Sequence, residues 1–185
     1  KAINLGIQVF RGNEFDVLKR FVESLCKLNP DSVVRICGDN VFIDPVEIDR
    51  LIASYKAANV DYACNHQNRL GSGYADGFGA EIIDHKVLER INDIAVMDKY
   101  REHVTLYLWC NTEKYSLLPI TPPPELKFPN MRFDVNTIDD FNYLAKLVKA
   151  GVSINSSAAE IVKIARSTWE SSLTLKKSHR NIDDN

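Results

Sequence analysis

The feature that most constrains this chain is an alternation. Short β-branched runs and longer amphipathic runs follow one another through residue 150. "IQVF" (7–10), "SVVRICG" (32–38), "DYACN" (61–65), "AEIID" (80–84), "KYSLLPI" (114–120) and "MRFDV" (131–135) read as strands. Between the first two, "NEFDVLKRFVESLCKL" sets Phe15, Leu18, Phe21, Val22 and Leu25 at helical spacing. Asn13 is the expected N-cap there, and Asp16 in the first turn suits the helix dipole. Asp44-Pro45 opens a second helix over about 45–57, with aspartate as cap and proline at the first helical position. "HKVLERINDI" and "YREHVTLYLWC" also read as helices. Thr137 with Asp140 caps a helix over 138–150 that Gly151 stops, and "SAAE" (157–160) is a capping box for one more. The tail "KKSHRNIDDN" reads as disordered.

Strand–helix alternation predicts an α/β domain with a mostly parallel sheet, in which ligands bind beyond the carboxyl ends of strands. Asp39 directly follows the second strand. Asp134, Asn136 and Thr137 end or follow the last one, so they are expected on the same rim. Asp39 has two readings: a turn residue, or a ligand for something cationic. Loop 65–79, "NHQNRLGSGYADGFG", has little core-forming potential and is long for a compact domain, which points to function.

Bulk properties narrow the classes. With 185 residues, 45% of them hydrophobic and 26% charged, the chain can build one core of ordinary size. A net charge of −2 gives no electrostatic reason to expect a nucleic acid or an anionic membrane as partner. No apolar run is long enough to cross a bilayer. The four cysteines have no CxxC spacing, so they are expected to be reduced and buried in a cytoplasmic protein rather than zinc ligands. The chain opens on Lys1, not methionine, which suggests a processed or truncated start.

Five blocks in order, "FRGNEFDVLKRF", "VRICGDNVFIDP", "YADGFGAEII", "REHVT" and "MRFDVNTIDDF", resemble the cytidylyltransferases that activate acidic sugars. The spore-coat polysaccharide type is the most similar branch, related to enzymes that make CMP-linked sialic and ketodeoxyoctulosonic acids. The resemblance runs from about residue 5 to residue 147. It implies a Rossmann-like nucleotide-diphospho-sugar transferase fold with three α/β/α layers. It also implies transfer of CMP from CTP to a sugar hydroxyl, release of pyrophosphate, and a requirement for Mg²⁺. Asp39 matches the magnesium-binding aspartate of the "GD" block, with Asp134 and Asn136 as further metal ligands. Asp39, Arg101 and His103 are then the candidate catalytic residues, Arg101 being suited to grip a sugar carboxylate. Arg11 and Gly12 fall near the nucleotide, and Asp76, Gly77 and Glu81 near the sugar. The plainer readings are a surface ion pair and a helix-end histidine for Arg101 to His103, a turn for Asp76-Gly77, an exposed position for Glu81, and a βα turn for Arg11-Gly12.

The chain departs from the family pattern at three places. No residues match its glycine-rich loop with Arg and Lys that cradles the triphosphate. Asn136 stands where an aspartate is usual. Asn40-Val41 follow "GD" where the family often has Cys-Pro. Residues 1–151 are therefore expected to form a partial cytidylyltransferase-like domain, N-terminally truncated. Residues 152–185 would be a C-terminal helix and flexible tail, and the chain alone is expected to bind CTP weakly and turn over negligibly. A homodimer is expected through the aromatic segment "YREHVTLYLWCNTEKY". Two other functions compete: a metal-dependent glycosyltransferase of similar fold, for which "GDNVF" lacks a second aspartate, and a non-catalytic homologue.

Overall fold

The computed structural model describes residues 2–66 and 70–168. The chain divides into two compact units, each made of three stretches. The first comprises Lys1–Arg35, Ser54–Ala63 and Ile82–Leu118, and the second Ile36–Ala53, Cys64–Glu81 and Pro119–Asn185.

The first unit carries nearly all of an open sheet. Its strands β1 (Ser32–Arg35), β2 (Tyr62–Cys64), β3 (Glu81–Asp84) and β4 (Leu117–Pro119) lie in the order β1-β3-β2-β4. The β2–β4 pair is parallel: Tyr62 N–H donates to Ser116 and Ile120 N–H to Cys64, so residue numbers rise together. β3 runs against β2, because Asp84 N–H donates to Asp61 and Asn65 N–H to Ala80. The sheet is therefore mixed, with β3 as the reversed strand beside parallel neighbours. Asp61 and Ser116 fix the register at the head of β2 and β4. The Asp61 carboxylate accepts from Ser116 N at 2.8 Å and from its hydroxyl at 2.9 Å.

Helix α1 (Val17–Leu25) packs on α3 (His85–Ile94) and α4 (Asp98–Glu102), burying Leu18, Leu88 and Ile91. The cap of α1 is Asp16, accepting from Lys19 N at 3.0 Å, not Asn13. Asn13 closes a turn just ahead, accepting from Phe15 N and Asp16 N. Phe15 thus precedes the helix and is exposed. The helix expected over "YREHVTLYLWC" is two: α4 and α5 (Leu106–Trp109), separated by the buried β-branched pair Val104 and Thr105. The aromatic rings of this stretch pack with one another: Tyr107 lies 5.2 Å from Tyr100 and 6.4 Å from Tyr115, and Trp109 meets Tyr62 edge-on.

Residues 7–10, expected as a strand, form no regular element and have no ladder partner, and Ile7, Val9 and Phe10 are exposed. A run of this length becomes a strand only where a neighbour satisfies its N–H and C=O groups. The cysteines are free, but Cys26 and Cys110 are exposed, so burial holds only for Cys64 and in part for Cys37.

In the second unit, Asp44 serves two helices. Its Oδ1 accepts from Val46 N at 2.9 Å in the first turn of α2 (Pro45–Ala58), which continues into the first unit. Its Oδ2 accepts from Ala158 N at 2.8 Å, at the start of α7 (158–168). Ser157 and Glu160 form the expected capping box of α7. Thr137 and Asp140 do the same for α6 (Ile138–Lys149), and Gly151 follows it at φ +111°. The helix after residue 157 therefore belongs to the body of this unit, with Ile161, Val162 and Ala165 buried. The tail "KKSHRNIDDN" lies outside the described residues. The last expected strand contributes two isolated bridges instead of a ladder, Asp76 with Arg132 and Asn40 with Asp134.

Candidate functional site

The candidate residues fall in both units. Asp39, Asp76, Gly77, Glu81, Asp134 and Asn136 belong to the second, and Arg11, Gly12, Arg101 and His103 to the first.

β1 ends at Arg35, and the chain turns through residues 37–40, where Asn40 N–H donates to Cys37 O. This turn lies against residues 134–135. Asn40 bridges Asp134, and Val135 N–H donates to Asp39 O at 3.0 Å. Backbone pairing thus sets Asp39 opposite Val135 and Asn40 opposite Asp134, so the backbones of Asp39 and Asp134 are neighbours one residue out of register. The Asp39 carboxylate has no structural work there: its Oδ1 is buried with no hydrogen-bond partner. An aspartate that only closes a turn has its carboxylate bound to nearby N–H groups, as Asp44 and Asp16 do. An unpartnered buried carboxylate oxygen is costly unless a cation or donor joins it.

Asp134 is already paired. Arg132 holds it two-fold, Nε to Oδ1 at 3.1 Å and Nη2 to Oδ2 at 2.5 Å, and Asn136 Nδ2 also reaches Oδ2. The hydrogen bond to Asp134 raises the Arg132 pKa above its ordinary value. The Arg132 side chain is 63% exposed, so it can leave Asp134 without crossing packed core. Sequence reasoning missed Arg132, although its i, i+2 spacing from Asp134 places both on one face of an extended segment.

Loop 65–81 is stapled at both ends. Asn65, fully buried, donates to Glu47 O at 2.7 Å and accepts from Ala80 N at 2.9 Å. Glu47, also buried, accepts from the Tyr74 hydroxyl at 2.8 Å. Burial and that carboxylate push the Tyr74 pKa far up. Gly77 sits at φ +109°, and a Cβ there would lie 2.8 Å from the Phe133 carbonyl carbon.

His66 was not singled out from the sequence, yet it is buried between two carboxylates. Its Nδ1 lies 3.6 Å from Asp76 and its Nε2 3.7 Å from Glu81. Burial alone would lower its pKa, but Asp76 and Glu81 outweigh it and raise the group to about 9. The folded value lies above the ordinary 6.5, so the imidazolium stabilises the fold fully below about pH 6.5, and that share is lost as pH rises through 9. Thermal melts of the wild-type protein are expected to fall between pH 6.5 and 9, and those of His66→Gln to fall less. Parallel curves for the two proteins would contradict this. Glu81 is wholly buried, not the exposed position considered from the sequence.

In the first unit, all five N–H donors of Arg101 are taken. Nε and Nη2 grip Asp16 at 2.9 Å each, Nη2 also reaches Asn92 Oδ1, and Nη1 donates to the carbonyls of Asn92 and Ala95. Partial burial would raise the Asp16 pKa, but Arg101 holds it below the ordinary value. The grip expected of Arg101 on a substrate carboxylate is thus occupied by the cap of α1. His103 is exposed at the end of α4, and Arg11 and Gly12 lie in the exposed segment before α1.

Among the described residues no three His, Cys, Asp or Glu side chains form a ready-made metal cage. No helix there is long and apolar enough to cross a membrane.

Comparison with known proteins gives a consistent picture. The family model described as Cytidylyltransferase matches residues 1–165. The chain is 32% identical over 165 residues to the spore coat polysaccharide biosynthesis protein SpsF of Bacillus subtilis, covering 88% of this chain and 66% of that protein. It is 30% identical over 185 residues to an uncharacterised protein of Methanocaldococcus jannaschii, covering 98% and 74% respectively. Among solved structures, a cytidylyltransferase from Leptospira borgpetersenii serovar Hardjo-bovis superposes with a TM-score of 0.80 at 25% identity, over 91% of this chain and 70% of that one. The fold is that of a Rossmann-like nucleotidyltransferase, and the chain belongs to the cytidylyltransferase family.

Proposed function

We propose that the protein transfers CMP from CTP to a sugar hydroxyl in the making of a surface polysaccharide. The sugar oxygen forms a bond to the α-phosphorus, the bond from that phosphorus to the bridging oxygen breaks, pyrophosphate leaves, and the hydroxyl proton passes to solvent or a base. The observation that carries this reading is the unpartnered, buried Asp39 Oδ1, next to the Asp134 backbone, in a chain of this family.

The residues present fit Mg²⁺, which takes one or two carboxylates and completes its shell with phosphate oxygens and water. Asp39 would hold the ion directly. Asp134 would join it once released from Arg132, with the Asn136 amide as a neutral third group. Bound there, the ion would offset charge developing on the α-phosphate. Arg132, once free of Asp134, carries a positive charge suited to phosphate oxygens. The acceptor is proposed only as a sugar, because the arginine that would favour an acidic one is occupied by Asp16.

The test is pyrophosphate release with Mg²⁺, each of the four nucleoside triphosphates and a panel of neutral, amino and acidic sugars, alongside nucleotide binding by titration. A preference for CTP and a dependence on the sugar are expected. Indifference to the base, or sugar release from a UDP-sugar, would overturn the reading, the latter in favour of a glycosyltransferase.

A further inference from the structure

The strongest unassigned feature of the second unit is the His66 cluster. Asp76 and Glu81 lie on opposite ring nitrogens of one buried imidazole, at 3.6 Å and 3.7 Å. That arrangement suits a clamp and not a metal ligand, since both nitrogens face carboxylates. The clamp ties residue 66, at the head of the loop, to residues 76 and 81 at its end. Among the described residues, Asp76 and Glu81 are the charged groups that face the ring.

The consequence lies in what else Asp76 holds. Its N–H donates to Met131 O at 3.0 Å, and its C=O accepts from Phe133 N at 3.0 Å. Its backbone therefore grips Arg132 from both sides. Two residues along is Asp134, which bridges Asn40, and after it Val135 N–H donates to Asp39 O. The contact leaves little slack. Gly77 abuts the Phe133 backbone, and the Phe78 and Phe133 rings pack at 4.6 Å, tilted by 39°. A shift of Asp76 must move the segment bearing Asp134.

We propose that His66 is a positioning residue: by holding Asp76, it fixes the backbone that sets Asp134 beside Asp39. The claim rests on the proposed metal role for its last step only. The imidazole touches no substrate. It holds the end of loop 65–81 against residues 131–133, and the placement of the Asp134 backbone next to the Asp39 turn follows.

The experiment uses NMR on the whole chain and two variants, His66→Gln and Asp76→Asn. The second keeps every backbone bond and guards against a misfolded first. Amide exchange at Asp76 and Phe133 is expected to quicken about tenfold in both, with the α6 amides of Leu144 and Leu147 unchanged as an internal reference. Mg²⁺ titration, followed at the Asp39 and Asp134 amides, is expected to show affinity lowered several-fold. Unchanged exchange at Asp76 and Phe133, or equal quickening in α6, would overturn the proposal by reducing His66 to a general support. Quickened exchange with unaltered Mg²⁺ affinity would overturn its last step. If wild-type protein binds no Mg²⁺, the metal reading fails while the exchange result still decides whether the clamp exists.

Discussion

Asp39→Asn is expected to lower turnover by about a hundredfold or more, with thermal stability changed by less than about 0.5 kcal/mol. The two expectations have one source. Oδ1 accepts no hydrogen bond in the fold, so replacing the carboxylate breaks no contact. Asparagine has nearly the same shape, and turns take it as readily as aspartate. Relieving an unpartnered buried carboxylate could even raise stability slightly. What is lost is the negative charge, which is what a magnesium ion at the α-phosphate requires. The informative measurement is a Mg²⁺ titration of both turnover and melting temperature. Near-normal CMP-sugar formation at limiting Mg²⁺ would return Asp39 to the role of a turn residue. Equal loss of activity and stability would point to a structural role instead.

Gly79→Ala is expected to destabilise the second unit by on the order of 4 kcal/mol or more. A Cβ at Gly79 would lie 2.2 Å from Asn65 Oδ1 and 2.5 Å from the Asn65 carbonyl oxygen. Neither atom can yield. The side-chain oxygen is engaged with Ala80 N, the amide nitrogen with Glu47 O, and the residue is wholly buried. Moving Asn65 would strand both buried partners, each a loss of about 1–3 kcal/mol. The melting temperature should drop by roughly 10 °C or more. Gly38→Ala is the control, since a Cβ there meets nothing within 4 Å. A Gly79→Ala protein that melts with the wild type would show that Gly79 and Asn65 are packed loosely enough to take a Cβ.

Local signals in the sequence carried far. The caps at Asp44, Thr137-Asp140 and Ser157-Glu160 are short-range hydrogen bonds, legible because donor and acceptor lie within a few residues. The nearness of Asp39 and Asp134 followed from both ending strand-like runs. The failures share a cause. Arg101 reads as a free cation until Asp16, 85 residues away, is seen beside it. His66 reads as one polar residue in a polar loop, because its partners are set by how the loop folds back. The run at 7–10 has strand composition, but a strand is defined by a neighbour and composition names none. Asn13 and Asp16 rank alike as caps; the ion pair with Arg101, invisible locally, favours Asp16.

The bond from Ala158 to the Asp44 carboxylate spans 114 residues. Together with the discontinuous second unit, it orders events during synthesis. Residues 36–53 and 64–81 emerge from the ribosome well before 119–168, which supply Asp134, α6 and α7. At about 5–20 residues per second, the Asp39 turn waits several seconds for the segment it pairs with. Closing so long a loop demands chain entropy that only late contacts repay, which makes the assembly of this unit slow among domains of its size. During that interval Asp44 can cap α2 with one oxygen while the other is hydrated. The nascent chain thus holds a finished half-joint, and the two rim segments meet only after residues 119–168 have emerged.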